Sequence, residues 1–373
     1  MTPSPTRPAW AACSRSRLGH NLGLMARVVG GPHGVMAVLK AGAYGHGGVE
    51  AAQALYARGV RRFGVATLDE AVALRQARVR GQLLILGALE PRHVREAARW
   101  QVGLTVWSRP YLDEIEATLR KAGRSLPPVD LHLKVDTGML RLGFSPSEVP
   151  GLLADFGARR WSRLGLASAY THLACADEPR DRESDRQLDR FLGQSWPQGL
   201  PLHAANSAAA LRYPRARLSW VRSGIFLYGA LDPRLSPVAA RQQPVLRAYA
   251  TVLRVAIAAK GQGVSYGHTW RASKATRVAT VCAGYADGMP RALSNRGQVR
   301  IGGKLCRVLG RVCMDLFMAD VSAVKGVKPG DTVTLLDGLE GPCSARGWAK
   351  LAGTSAYEIL CGLSGRLPRR WEA

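Results

Sequence analysis

Lys40 closes the apolar run Val38-Leu39 and is followed at once by Ala41-Gly42-Ala43-Tyr44-Gly45-His46-Gly47. A lysine held in a dry pocket loses pKa because desolvation disfavours its charged form, and the neutral amine condenses with an aldehyde to give a Schiff base. Taken alone, Lys40 is equally a strand-end side chain with its stem on apolar surface and its head in water. Its company changes that reading. His132-Leu133-Lys134-Val135-Asp136 ends a second apolar run and leads through Thr137-Gly138-Met139-Leu140 to Arg141. A second inward lysine, a carboxylate and a planar fork suited to a substrate carboxylate thus fall together. Two inward lysines repel, so either Asp136 compensates or one lysine is chemically neutralised. Later apolar runs end in Tyr170-Thr171-His172, Ala205-Asn206-Ser207 and Val221-Arg222-Ser223-Gly224-Ile225. Ser207, Gly224 and Ile225 suit a phosphate gripped by a small hydroxyl and backbone N–H groups. Ser207 as a helix N-cap is the competing explanation. A Schiff-base lysine, a phosphate cradle and an arginine near the ring together point to pyridoxal 5'-phosphate.

These residues need a scaffold that brings strand ends to one place. Short apolar runs at Gly34–Lys40, Arg62–Ala66, Gln82–Gly87, Gly103–Trp107, Val129–Val135, Leu164–Thr171, Leu202–Ala205 and Ser219–Arg222 alternate with stretches of helical period. Eight such units predict a parallel (β/α)8 TIM-type barrel, an α/β fold whose active site lies at the C-terminal ends of its strands. An open doubly wound sheet is the alternative, but Gly-x-Gly-x-x-Gly does not follow the first strand. After Pro233 the period changes to two in Val245–Ile257, Arg277–Ala283, Gln298–Leu305 and Thr332–Leu336, with Gly, Pro and Asp turns between. The division expected is a barrel over 1–235 and an all-β domain over 236–373, making the chain's second part mainly β. The first residues are open to joining the β-domain, and Pro233–Pro244 is the linker candidate.

Composition removes several function classes. The 373 residues are 47% hydrophobic, which argues against disorder. No apolar window approaches ~18 residues, and Met1 to Val29 carries arginines where a signal peptide needs an apolar centre, so a cytoplasmic protein that does not enter a membrane is expected. Seven cysteines without a CxxC pair give neither a disulfide framework nor a zinc knuckle, and no metal site is expected. The net charge of +25 invites a nucleic-acid reading. The arginines are, however, scattered without a run of five like charges, so no nucleic-acid partner is expected. Such a field draws in anionic small molecules.

The motifs Leu39-Lys40-Ala41-Gly42-Ala43-Tyr44-Gly45-His46-Gly47, Leu133-Lys134-Val135-Asp136-Thr137-Gly138-Met139, Thr171-His172-Leu173, Ala205-Asn206-Ser207-Ala208-Ala209, Gly284-Tyr285-Ala286-Asp287-Gly288 and Gly310-Arg311-Val312-Cys313-Met314-Asp315 stand in order along the chain. In this the chain resembles the alanine racemase family, fold-type III pyridoxal-phosphate enzymes. The resemblance spans both parts of the chain.

The resemblance implies that Lys40 carries the cofactor, that Tyr44, Ser207, Gly224, Ile225 and Tyr357 hold its phosphate, and that His172 and Asn206 stand beside it. Arg222 would face the pyridine nitrogen. A guanidinium can only donate, so that nitrogen stays an acceptor and the ring is a weaker electron sink, which favours racemisation over transamination. Lys40 would serve one face of the substrate, removing the proton of the D-enantiomer. Tyr285, from the β-domain of a second subunit in a homodimer, would serve the other face, removing the proton of the L-enantiomer. A hydrogen-bond chain from Tyr285 through His172 to Arg222 would assist the phenolate. Arg141 and the Met314 backbone N–H would bind the substrate carboxylate. Lys134 matches a lysine that is usually carbamylated, which would resolve the repulsion of the two inward lysines. The implied reaction interconverts L- and D-alanine and supplies D-alanine for peptidoglycan.

Several positions depart from the pattern. Gly42 stands where asparagine is usual, Leu140 where a small or polar residue is usual, and Leu316 and Gly365 replace more usual polar or aromatic residues. Trp10-Ala11-Ala12-Cys13 lacks the customary acidic residue after the tryptophan. A racemase of broader specificity, serine included, is one alternative. A non-catalytic pyridoxal-phosphate barrel is another, but Gly284–Gly288 and Gly310–Asp315 speak against it.

Overall fold

A computed structural model describes residues 7–122, 126–178 and 182–373. The N-terminal stretch 1–6, part of the segment read above for a leader, lies outside the described residues. The strands run in chain order. β1 is Ala9–Ser14. Next come β2 (Val35–Val38), β3 (Arg62–Val65), β4 (Gln82–Ile85), β5 (Val102–Val106), β6 (Val129–Lys134), β7 (Leu164–Tyr170), β8 (Leu202–His203) and β9 (Val221–Ser223). These eight pair in parallel in the order β8-β7-β6-β5-β4-β3-β2-β9. Backbone bonds from Ser219 to Leu202 and from Arg222 to Ala205 join the two ends, giving the expected barrel. The strands are short apolar runs because both faces are covered, by side chains within the barrel and helices outside. Leu18, Leu55, Phe63, Ile115 and Phe191 are among the fully buried side chains of that core.

The connecting helices carry local signals. Helix Leu68–Gln76 starts with a capping box in which Thr67 accepts from the Glu70 N–H and Glu70 reaches back. Ser108 caps helix Arg109–Lys121, with Pro110 in its first turn, where no intrahelical N–H is needed.

The second part contains β10 (Leu246–Ala258), β11 (Gly263–Val264), β12 (Trp270–Arg271), β13 (Thr276–Val281), β14 (Gln298–Ile301), β15 (Lys304–Leu309), β16 (Phe317–Asp320), β17 (Thr332–Leu336) and β18 (Arg369–Glu372). Its main sheet runs β13-β16-β15-β14-β17-β10-β1-β18, and β10 also pairs with β13 across a bulge at Val252/Arg254. The N-terminal β1 lies between β10, antiparallel, and β18, parallel.

Two features differ from the sequence reading. The run Gln298–Leu305 is a hairpin, not one strand: Gly302 and Gly303 both have positive φ, 54° and 79°, the geometry of a two-residue turn. The half read as all-β also holds two short helices, Ala345–Ala352 and Ala356–Gly362, capped by Ser344 and Ser355. Among the described residues no helix is long and apolar enough to cross a membrane.

Candidate active site

A cavity of about 400 Å3 opens at the C-terminal ends of the barrel strands. Lys40, Lys134, Arg141, His172, Asn206 and Ser207 line it, and so do Tyr44, Arg222, Gly224, Ile225 and Tyr357. Tyr285 and Met314 do not: both stand on β-domain loops, 42% and 53% exposed.

Lys40 follows β2 and opens a single left-handed turn. Ala41, Gly42, Ala43 and Tyr44 all have φ between 53° and 58°. Non-glycine residues rarely adopt this conformation, so something must hold it. Glu70 Oε1 accepts from the Ala41 N–H at 2.6 Å, and a His46 ring nitrogen, Nδ1, lies 2.9 Å from the carbonyls of both Ala43 and Tyr44. With no hydrogen to give, those carbonyls require Nδ1 to be the donor. Neither Glu70 nor His46 was assigned a role from sequence; the Thr67-x-x-Glu70 capping pattern was the available signal.

Electrostatics at Lys40 run as its chemistry needs. Surrounding protein, then the positive charge of Arg141, lowers its pKa, although the side chain still meets solvent at the cavity mouth. Lys134, at the end of β6, is buried and held down to about 8 by burial first and then by Arg141 and Arg222. Its ammonium lies 5.9 Å from the Tyr170 ring centre.

Asp136 does not compensate the lysines by an ion pair; no such pair is found among the described residues. Its carboxylate instead accepts the N–H groups of Gly138, Met139, Leu140 and Arg141 at 2.8–3.0 Å. Burial alone would raise its pKa, but these four donors outweigh it and bring it below the ordinary value. Asp136 therefore shapes the loop that presents Arg141.

Arg222, on β9, is 4% exposed. Nη1 donates to His203 Nδ1 at 2.9 Å, and Nη2 donates to the Thr171 and Ala204 carbonyls and to His172 Nδ1 at 3.3 Å. Nε has no acceptor among the described residues, leaving one donor for whatever fills the cavity. Burial lowers the guanidinium only to about 10, so it keeps its charge at neutral pH. Both His172 and His203 are driven far below the ordinary imidazole pKa, by burial first and Arg222 second, and are neutral.

The helix-cap explanation for Ser207 gives way to its neighbour. Asn206 Oδ1 caps helix Ser207–Arg212, while Ser207 Oγ accepts from the N–H groups of Gly224 and Phe226 at 3.0 and 3.4 Å. A Cβ at Gly224 would stand 2.4 Å from Tyr44 Oη, so only glycine lets this backbone approach the tyrosine. The Tyr44 ring lies between Tyr228 and Tyr357, with centroids 5.1 and 5.9 Å away.

The two outlying residues are tied to each other. The Tyr285 N–H donates to the Cys313 carbonyl and the Ala286 N–H to the Met314 carbonyl, both at 3.0 Å. Asp287, 1% exposed, accepts the Gly284 N–H and pairs with Arg7 and Arg366; Arg366 also pairs with Asp315. The loops bearing Tyr285 and Met314 are thus joined by backbone bonds and a shared ion-pair cluster.

Residues 13–232 match the family described as alanine racemase, N-terminal domain, and residues 245–371 the C-terminal domain of that family. The alanine racemase of Carboxydothermus hydrogenoformans is 40% identical over 97% of this chain and 99% of its own length. That of Desulforamulus reducens is 37% identical over 97% and 98%. The crystal structure of the enzyme from Streptomyces lavendulae superposes with a TM-score of 0.91 at 34% identity, covering 99% of this chain and 98% of that one. The Bacillus anthracis alanine racemase, solved with bound L-Ala-P, gives 0.89 at 34% identity over 98% and 95%.

Proposed function

The chain belongs to the alanine racemase family and carries its activity, the interconversion of L- and D-alanine; we propose that it does so with pyridoxal 5'-phosphate in the barrel cavity and with two bases, Lys40 and Tyr285. The observation that carries this reading is a lysine of lowered pKa facing a cavity that also holds a buried, charged arginine with an uncommitted Nε. The lining fits the cofactor: Gly224 admits no side chain, and the Ser207 hydroxyl, Gly224 and Ile225 line the cavity with Tyr44 and Tyr357, where a phosphate would be held. When bound, the cofactor supplies an electron sink that acidifies the α C–H of an attached amino acid.

The rest is done by the chain's own residues. Lys40 Nζ is the attachment point and the proton carrier on one face. Arg222 Nε would donate to the ring nitrogen and, being unable to accept, would keep that nitrogen unprotonated. Arg141 orients the substrate carboxylate by its planar fork. Racemisation requires the proton to leave on one face and return on the other. Tyr285 Oη, brought by a second copy of the chain, would be the second carrier, and His172 in the cavity would assist it. His172 Nδ1 accepts from Arg222, so its proton is on Nε2 and is available to a phenolate.

Tyr285 and Met314 are absent from their own chain's cavity and exposed on the β-domain, which supports a homodimer in which each copy completes the other's site. Lys134, neutral in part at physiological pH, can add carbon dioxide: the neutral amine forms an N–C bond, one proton leaves to solvent, and the neutral side chain becomes a carbamate anion within the field of Arg141. The proposed setting is the cytoplasm, with D-alanine passing to peptidoglycan synthesis.

Borohydride trapping of the purified protein followed by peptide mapping tests the reading. The expected label is on Lys40; active protein with that nitrogen unlabelled would overturn it. Deuterium exchange measured separately from each enantiomer tests the second base. Tyr285→Phe is expected to lose exchange from L-alanine while Lys40-dependent exchange from D-alanine persists.

A further inference from the structure

We infer that Ser168 and His132 are positioning residues for Arg222, acting through His203 by a one-way series of hydrogen bonds that crosses the barrel interior. The inference rests on the reading of Arg222 as the residue facing the cofactor ring. Arg222 Nη1 lies 2.9 Å from His203 Nδ1, His203 Nε2 lies 3.1 Å from Ser168 Oγ, and Ser168 Oγ lies 2.6 Å from His132 Nδ1. Arg222 is 4% exposed, His203 and Ser168 0%, and His132 9%.

Elementary donor and acceptor rules fix the direction of every bond. A guanidinium has no acceptor, so His203 Nδ1 must accept. A neutral imidazole carries its proton on one nitrogen only, so His203 Nε2 is the donor and Ser168 Oγ accepts from it. The Ser168 hydroxyl then has its own hydrogen to place. Among the described residues its only other polar partner is His132 Nδ1, and a buried hydroxyl left without an acceptor is costly. His132 Nδ1 therefore accepts, and His132 also carries its proton on Nε2. Protons point one way, Arg222 to His203 to Ser168 to His132.

The backbone is built to make this meeting. Leu131 pairs with Leu166, but His132 pairs with Ser168, so Ala167 is an extra residue in β7. Such a bulge re-aims the side chains beyond it. Without it, Ala167 would face His132, and Ser168 would turn to the other side of the strand. His203 is also clamped between rings, stacked on Tyr170 at 4.7 Å and tilted against Trp220 at 4.9 Å. A donor bond from one ring nitrogen strengthens the other as an acceptor. Ser168 and His132 thereby hold His203 as the stop against which Arg222 is set, with Nε left toward the cavity.

The test has two parts, both on the full chain. Nitrogen-15 NMR of histidine-labelled protein, with and without cofactor, is expected to place the ring proton on Nε2 in both His203 and His132. A proton on Nδ1 of either ring overturns the proposal, and this reading needs no bound cofactor. The second part titrates pyridoxal phosphate into apo-protein and follows its visible absorbance. Ser168→Ala and His132→Leu are expected to weaken binding about tenfold, as outer partners of a metal-bound histidine do when removed. His132→Asn, whose Oδ1 can stand in for Nδ1, is expected within about twofold of the parent. If Ser168→Ala and His132→Leu lower only the unfolding midpoint and titrate like the parent, the role is structural and the proposal fails. Equal losses in His132→Asn and His132→Leu overturn it too. Absence of cofactor binding by the parent chain would instead sink the cofactor assignment and leave the ring protons to decide the direction of the series.

Discussion

Glu70 Oε1 accepts the backbone N–H of Ala41 at 2.6 Å, so the carboxylate that caps the second barrel unit's helix also holds the first residue after Lys40. Its other oxygen accepts from Ala66 at 2.8 Å. One side chain thereby ties the ends of two neighbouring strands at the cavity rim.

Replacing Glu70 should therefore cost more than a helix cap. Loss of a capping interaction is worth about 1 kcal/mol. The left-handed turn behind Lys40 loses a charge-assisted bond as well, worth about 1.5–3 kcal/mol. Glu70→Ala is expected to lower stability in urea unfolding by about 2–4 kcal/mol and to weaken cofactor binding. Glu70→Gln, which keeps only one of the two accepting oxygens, should recover part of the stability. A Glu70→Ala chain with parental cofactor affinity would separate the turn from Lys40's placement.

Buried neutral histidines set a pH limit on the fold. His46, fully buried, and His132 are both depressed from the ordinary 6.5 to about 4, chiefly by desolvation. A group whose folded pKa lies below its unfolded value contributes stability that is complete above the unfolded pKa. That contribution is lost as pH falls from about 6.5 toward 4, because only the unfolded chain takes the proton. At about 1.4 kcal/mol per pKa unit each histidine contributes on the order of 3 kcal/mol. Urea midpoints measured from pH 7.5 to 5 should fall steeply, and the slope should be shallower in His46→Gln. A parental slope in that variant would contradict the assignment.

Arg366 offers a separation of chemistry from cofactor binding. It lies on the β-domain, reaches Asp287 and Asp315, and lines no part of the chain's own cavity. Arg366→Ala leaves Asp287, 1% exposed, with only Arg7 as a charged partner among the described residues. The loops bearing Tyr285 and Met314 should then lose their bracing. Expected is a roughly tenfold or greater fall in kcat, with pyridoxal phosphate affinity within about twofold. Steady-state rates set against a cofactor titration check this, and a parallel loss of both quantities would refute the separation.

The sequence made the eight barrel strands legible because each is a short apolar run buried on both faces, and the strand-end residues followed from the fold's own geometry. The cavity-lining side chains were legible for that reason. The partners of strands paired over long chain separations were not, although the first residues had been left open to joining the β-domain. β1 and β18 are four to six residues long and acquire meaning only beside each other and β10. The hairpin at Gly302-Gly303 was hidden within one apolar run, although a Gly-Gly pair is a turn signal in its own right. Helix Ala356–Gly362, which presents Tyr357, has only seven residues, too few for a period to show. Glu70, His46 and Ser168 escaped notice because their roles depend on a left-handed turn and a one-residue bulge, which composition and periodicity do not record.

Gly42, the departure nearest Lys40, yields the cleanest mutational test. Its φ is 58° and ψ 46°, within the left-handed turn, and a Cβ there would meet nothing within 4 Å. Crowding is thus absent, and any effect of substitution reports backbone conformation alone. Glycine and asparagine are the residues that enter this region most readily, which explains how one can stand for the other. Gly42→Asn should be close to neutral in stability and cofactor binding. Gly42→Ala should cost about 1 kcal/mol, and the β-branched Gly42→Val more. The order Asn, Ala, Val in urea midpoints, with cofactor affinity falling in the same order, is the expected result. Equal midpoints for all three would mean that the turn behind Lys40 is not left-handed in solution.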